Sequence, residues 1–418
     1  MTDFDSSPAS TLSAIAAFDR GRDPALLARK YASMRQGVFA FMRGTSHLFY
    51  AAWPSMPLLD VAPSTWLSGD LHVENFGTYK GDNRLTYFDV TDFDESALAP
   101  VTLDLGRFLS SILVGAADWS LDPADALALA QKALIAYTTE LALGKASWIE
   151  RENARGVVKR LVAQVAARSR TELLDYFTVR KGKRRKLTID DKHTLAITDT
   201  ERARVEQMVA SVGAAAHDRE YFSTIDVARR ASGIGSLGIP RFVALVEGRG
   251  SPDRNVLLTI KGARPSSMLA ARSSAVQPEW PSEATRIVSV QRHCSAVGPA
   301  FLQSLEWEGD SYVVRELQMV DDRVRLHGWE KHPKKLGDAI IAMAAVSAWM
   351  HLRGCAWRGS ASIDDLAEFA REDHWAPAMM QCVQDAARRT EQQFQQFVRA
   401  DDGASDSAGL QTATQPSR

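Results

Sequence analysis

Residues 66–77 read WLSGDLHVENFG. Asp70, His72, Glu74 and Asn75 crowd six positions between apolar anchors, Trp66, Leu67 and Phe76. A core strand would not tolerate that many polar groups without partners. A plain surface loop would not need the anchors. A tight turn, eased by Gly69 and Gly77 and anchored by Leu71 and Phe76, can present Asp70 and Asn75 to one cavity. A further acid, Asp89, lies fourteen residues beyond Asn75, at the end of a strand-like run RLTYFDV (84–90) and the start of DVTDFDES (89–96). Phosphoryl transfer uses such a set: one carboxylate orients the attacking hydroxyl, while an amide oxygen and a second carboxylate hold Mg²⁺ against nucleotide phosphates.

The rest of the 418-residue chain sets the bounds. With 45% hydrophobic and 24% charged residues it reads as a soluble globular protein of two or three domains. A net charge of −1 gives no global field for nucleic acid or membrane. Cys294, Cys355 and Cys382 are scattered and odd in number, which argues against a disulfide framework or zinc knuckle and fits a reducing, cytoplasmic compartment. The N-terminus lacks the pattern of a signal peptide. The most apolar run, AIIAMAAVSAWM (339–350), is shorter than the ~20 residues a bilayer span takes.

Residues 1–20 and 401–418 read as loose, small and polar tails. Helical spacing marks 24–43, much of 104–175, 334–353 and 376–399, whereas 233–261 and 301–317 read as strands and turns. The division expected is a helical lobe over 21–222, a β-rich lobe over 223–330 and completing helices over 331–400. RKGKRRK (180–186) reads as a solvated hairpin or loop and is the one hint of nucleic acid.

GDLHVEN followed by YFDVTD resembles the catalytic loop and metal segment of aminoglycoside phosphotransferases and other kinase-like small-molecule phosphotransferases. The resemblance implies a catalytic base at Asp70, metal ligands at Asn75 and Asp89, and a second acid of that segment at Asp92. His72 falls where protein kinases place a phosphate-contacting lysine, and ATP with Mg²⁺ becomes the implied cofactor pair. The departure is Ser68, where those enzymes usually carry histidine. FMRG (41–44), GDLHVENFG (69–77), FDVTDFDE (88–95) and DVARRASGIGSLG (226–238) resemble, in that order, a bacterial family catalogued as domain of unknown function 2252. That resemblance covers roughly residues 25–400, implies a kinase-like fold, and leaves reaction and substrate open.

GIGSLG (233–238) fits Gly-x-Gly-x-x-Gly and precedes two strands, the second ending at Lys261. Gly233, Gly235, Ser236 and Gly238 would cover the phosphates, and Lys261 would pair with them. Ordinary kinases put these elements before the catalytic loop; here they follow it. The expectation is therefore an α+β, protein-kinase-like two-lobe fold, circularly permuted, with the end of helix 334–353 near Gly354 beside Trp66. Ser289 stands where family members tend to carry the lysine's partner glutamate, with Glu283 a nearby substitute. Glu316, beside Arg315, matches a hinge against the adenine by position only. Arg43 is read as reaching a phosphate or pairing with Asp92, Asp94 or Glu95; Asp104 and Arg107 as bracing the loop; Arg229 and Arg230 as surface charge; His351 as a satisfied core histidine.

The acceptor is an unidentified hydroxyl compound, which the acids at 92–95 hint is polar or cationic. Three readings compete with phosphotransfer. A nucleotide-binding pseudokinase is favoured by the missing glutamate. AMP transfer with a flipped nucleotide is compatible with the same residues. A metal-dependent phosphoesterase is suggested by Asp70-Leu71-His72, but its downstream motifs are missing from the sequence.

Overall fold

Alternation along three strands sets the middle of the chain. In Val256–Gly262, Val256, Leu258 and Ile260 point to one face, joined by Phe242, Ala244 and Val246 of Arg241–Val246 and by Tyr312 and Val314 of Asp310–Glu316. A period of two then turns Arg241, Thr259, Lys261 and Arg315 to the opposite face. Register brings them together: Arg241 lies opposite Lys261, and Thr259 opposite Arg315. These strands belong to a six-stranded antiparallel sheet in the order Gln303–Trp307, Asp310–Glu316, Val256–Gly262, Arg241–Val246, Thr224–Arg230, Thr194–Leu195. Helix Asp199–Ala215 covers the apolar face with Val205, Met208, Val209 and Val212.

This computed structural model describes residues 8–271, 276–319, 322–324, 333–372 and 374–412. Helix takes 51% and strand 17%, an α+β composition distributed over several sheets. The largest core gathers Trp66, Leu71 and Phe76 with Phe108 and Ile112 of helix Thr102–Gly115, Leu134 and Tyr137 of Pro123–Ala142, and Ile340, Met343 and Val346 of Pro333–Arg353. Early and late thirds of the chain thus share one hydrophobic interior. As expected, the end of the late helix meets the strand before the loop. Thr65 Oγ1 donates to the His351 carbonyl at 3.0 Å, and a Cβ on Gly354 would lie 3.1 Å from the Trp66 carbonyl oxygen.

Several expectations are corrected. The single helix expected over 24–43 is two, Pro24–Met34 and Val38–Gly44, broken where Gly37 removes helix propensity. Residues 1–20 include helix Pro8–Phe18, because Leu12, Ile15 and Phe18 recur every three residues and form an apolar stripe. Thr11 Oγ1 ties that helix to Gln396 at 2.9 Å. The last helix, Ala376–Thr412, runs through the expected tail; residues 1–7 and 413–418 of the two tails lie outside the described residues. The basic run at 180–186 forms the expected hairpin, Thr178–Lys181 with Arg184–Leu187, but it is not wholly solvated: Arg185 is buried against Asp175 and Asp253. Among the described residues no helix is long and apolar enough to cross a membrane.

Candidate active site

Strand Ser64–Leu67, paired with Ala97–Pro100, delivers the chain to Gly69. There φ is +85°, and a Cβ would stand 1.8 Å from the Glu95 carbonyl oxygen, so only glycine fits. The turn is then held from below by the buried helix Thr102–Gly115. Its Asp104 carboxylate accepts from Ser68 N, Ser68 Oγ and Gly69 N at 2.8, 3.0 and 3.1 Å, and Ser111 Oγ accepts from Val73 N at 3.2 Å. His351 stands 3.5 Å from Asp104 and shares a 2.7 Å hydrogen bond with the Tyr137 hydroxyl, the satisfied core histidine expected. Asp104 therefore braces the loop as anticipated.

Arg107 does more than brace. Its Nε donates to Asp70 Oδ1 at 2.6 Å, and its Nη2 donates to the Met42 carbonyl at 2.8 Å. Burial pushes the Asp70 carboxyl up to about 7; Arg107 pulls it back, and Glu95 and Asp92 add to the rise. Asn75 Nδ2 donates to the Asp70 carbonyl at 2.6 Å, which leaves Oδ1 as the amide atom able to meet a cation. The Asn75 carbonyl is fixed in turn by Thr91 N and Oγ1 at 2.9 and 3.0 Å.

A cleft of about 490 Å³ opens above these groups, within the usual size of ligand pockets. It brings together Asp70, His72, Asn75, Asp92, Asp94, Gly233, Gly235, Ser236 and Lys261. Lys261 is paired with Asp94. Asp92 is raised by burial, but Lys261, Arg323, Arg315 and Arg241 outweigh this and hold it below the usual carboxylate range. Among the described residues, seven basic and four acidic side chains line the cleft, so it is cationic and fits phosphate better than a bare cation. Arg241, driven down to about 9 by burial and by its guanidinium neighbours, has a buried Nε without a partner. Buried charge of that kind needs an anion.

The donors suitable for Mg²⁺ are the Asp92 carboxylate and Asn75 Oδ1, hard oxygens in the small number that Mg²⁺ takes when phosphate and water complete its shell. Among the described residues no three His, Cys, Asp or Glu converge as an all-protein metal cage.

Other expected site residues stand elsewhere. Asp89 does not line the cleft: it accepts from Ala296 N at 2.9 Å and pairs with Arg353 at 3.1 Å in the interior. Its place opposite Gly77 in the hairpin Phe76–Lys80/Thr86–Val90 turns it away, and the acid beyond the strand, Asp92, takes the position facing Asn75 and Lys261. Glu316 pairs with Arg84 at 3.0 Å and lines a separate, smaller hollow; Arg315, one step back on the strand, donates to the Thr91 carbonyl at 2.9 Å. Gly238 packs on Arg22 outside the cleft wall. Glu283 binds Arg286 rather than Lys261. Arg43 pairs with Glu74 at 2.5 Å rather than with the acids at 92–95, while still lining the cleft. Arg229 is tied to Asp23 and Glu201. His72 lines the cleft, but burial and then Arg43 and Arg107 hold its pKa well below the ordinary value, so the ring is neutral and cannot replace a cationic lysine.

Sequence reasoning missed Arg241, Arg323 and His47, and it read Asp94 for Arg43 or the acceptor rather than for Lys261. For Arg241 the alternation of RFVALV was a usable signal; for Arg323 and His47 no local pattern was.

Residues from all four motif segments, 41–44, 69–77, 88–95 and 226–238, meet at this one cleft. A family described as uncharacterised proteins conserved in bacteria, DUF2252, matches residues 22–400. The chain belongs to the DUF2252 family. No curated protein and no solved structure matches it. The DUF2252 match begins at Arg22, which donates to the Gly235 and Leu237 carbonyls at 2.7 and 2.9 Å and so clasps the Gly-rich turn. Ala14, Phe18 and Arg20, which also line the cleft, precede the matched span.

Proposed function

We propose that the protein is an ATP- and Mg²⁺-dependent phosphotransferase of permuted, kinase-like fold, acting on a hydroxyl group of a small molecule. One observation carries the reading: Asp70, Asn75, Asp92, Lys261 and the turn at 233–236, far apart in sequence, line one cleft. The order of elements supports it. A Gly-rich turn joins adjacent antiparallel strands, the next strand ends in the lysine, and helix Glu283–Cys294 and two further strands follow, as in kinases read from their N-terminal lobe. The helix after those strands ends beside Trp66, where an uncut chain would pass into the catalytic loop.

In this reading Asp70 accepts the proton of the acceptor hydroxyl as its oxygen bonds to the γ-phosphorus and the bond to ADP breaks. Arg107 fixes the Asp70 carboxylate, and Asp104 fixes the turn that carries it. Asn75 Oδ1 and Asp92 would hold Mg²⁺, which neutralises phosphate charge when bound. Lys261 would exchange Asp94 for phosphate oxygens, and Arg241 and Arg323 add to the anion field. Thermal-shift titration with Mg²⁺–ATP tests the reading. Stabilisation is expected for the wild type and for Asp70→Asn, and lost in Asp92→Asn; no shift in the wild type sinks it.

A further inference from the structure

The cleft has a wall to which the nucleotide reading gives no role. Phosphates and Mg²⁺ would take Asn75, Asp92, Lys261 and the Gly-rich turn, and the N-terminal helices, which pack on that turn through Ile234, add Phe18, His47, Leu48 and Ala51 to the lining. His47 stacks on Phe18 with ring centres 4.1 Å apart, and both its ring nitrogens are shut from solvent with no hydrogen-bond partner. Burial, and then Lys30, Arg22 and Arg107, drive its pKa down to about 3, so the ring is neutral and offers one donor and one acceptor. Arg107, the residue that holds Asp70, is thus close enough to act on it.

Among the described residues, the carboxylates next to this wall are engaged. Asp19 is consumed by Arg22 at 2.9 Å and Lys30 at 2.5 Å, and Glu95 accepts from Ser267 N at 2.5 Å. The exposed guanidiniums of Arg20 and Arg264 stand on the cleft lining with no carboxylate partner among the described residues. A polycation such as an aminoglycoside needs free carboxylates, and among the described residues Phe18, His47, Leu48 and Ala51 offer none.

We propose that the acceptor is a hydroxy compound with an apolar or ring-shaped body and a terminal oxyanion, its body on Phe18, His47, Leu48 and Ala51 and its oxyanion at Arg20 and Arg264. Its hydroxyl role rests on the phosphotransferase reading; the charge and shape of the chamber do not. The proposal replaces the polar or cationic acceptor that the acids at 92–95 suggested in the sequence, because Glu95 accepts from Ser267 N and Asp94 stands beside Lys261, where the phosphates would bind.

Ligand-observed NMR on the full chain tests it with one ring in four charge states: para-(hydroxymethyl)benzoate, para-(hydroxymethyl)phenyl phosphate, benzyl alcohol and para-(aminomethyl)benzyl alcohol. Both anions are expected to bind more tightly than the alcohol, and the amine least; the ratio between the anions separates carboxylate from phosphate acceptors. Arg20→Gln with Arg264→Gln, both exposed sites, should weaken the anions about tenfold and narrow their margin over the amine. Tightest binding of the amine, binding of none of the four, or an order indifferent to the double variant overturns the proposal. The expected order without any Mg²⁺–ATP shift would refute the phosphotransferase reading and leave the chamber assignment standing.

Discussion

If Asp70 is the base of the proposed phosphotransferase, removing Arg107 from it should move the pH at which turnover begins. A general base works only when deprotonated, and burial pushes the Asp70 carboxyl up to about 7 even with Arg107 in place. Wild-type kcat/KM for Mg²⁺–ATP turnover should therefore rise with pH through a midpoint near that value. The 2.6 Å bond from Arg107 Nε is charge-assisted and worth roughly 1.5–3 kcal/mol to the carboxylate. At about 1.4 kcal/mol per pH unit, Arg107→Met should move the midpoint up by about one to two pH units. Arg107→Lys keeps the charge and should move it less. Asp70→Asn should lose about 10²–10⁴ in turnover and show no such midpoint. Stability carries the opposite sign. Because the folded pKa is raised, the neutral carboxyl's contribution is complete below the unfolded value of 3.8 and is lost as pH rises to about 7. Integrated, that fall is at most about 4 kcal/mol, and less in practice because the Asp70 side chain is 21% exposed. A pH–rate profile that is flat or falling through neutrality, or a midpoint unmoved in Arg107→Met, would refute the assignment of Asp70 as base.

Two acids three residues apart should behave differently. Asp92→Asn should remove the Mg²⁺ dependence of nucleotide binding by isothermal titration, whereas Asp89→Asn should leave it and lower stability by about 2–4 kcal/mol in urea, because Arg353 loses its charge partner and one oxygen can no longer serve both Val90 N and Ala296 N. Gly69→Ala should fail to reach the native fold by circular dichroism, since its Cβ would meet a backbone oxygen at 1.8 Å where φ is also positive. Gly354→Ala places a Cβ 2.8 Å from Thr65 Oγ1 and 3.1 Å from the Trp66 carbonyl oxygen; it should cost about 1–3 kcal/mol by urea unfolding, and Thr65→Ala should recover part of that loss.

The loop at 66–77 was readable because its logic is local: a glycine turn, apolar anchors and polar groups at fixed spacing. Asp89 was misread for a reason equally physical. Counting from Asn75 finds the first acid at the strand end, but pleat phase decides which way it points, and phase comes from the hairpin register Phe76 to Val90. The same one-residue step misplaced Glu316, whose neighbour Arg315 reaches the site segment while Glu316 turns to Arg84. The partner of Lys261 was sought on a helix because kinases keep a glutamate there. The protein supplies Asp94 instead, 167 residues earlier in the chain, and no local pattern encodes such a pairing. Helix Pro8–Phe18 was hidden because its small residues, Ala, Ser and Thr, dilute the apolar stripe that seats it.

These long-range ties also explain how the proposed permuted order is compatible with intact chemistry. Asp70 is held by Arg107, 37 residues on, and Lys261 by Asp94; neither depends on chain continuity between the catalytic loop and the helix that precedes it in ordinary kinases. At the proposed junction, Trp66 Nε1 donates to the Trp357 carbonyl at 2.9 Å and Ala361 N donates to the Ser64 carbonyl at 2.8 Å, so hydrogen bonds hold the two segments together. The chain before the loop folds into helices Pro8–Phe18, Pro24–Met34, Val38–Gly44 and Ser46–Ala52, which bring Arg20, Arg22, Arg43 and His47 to the cleft. In the proposed permuted fold these side chains would stand against the acceptor while the groups that would perform transfer keep their supports.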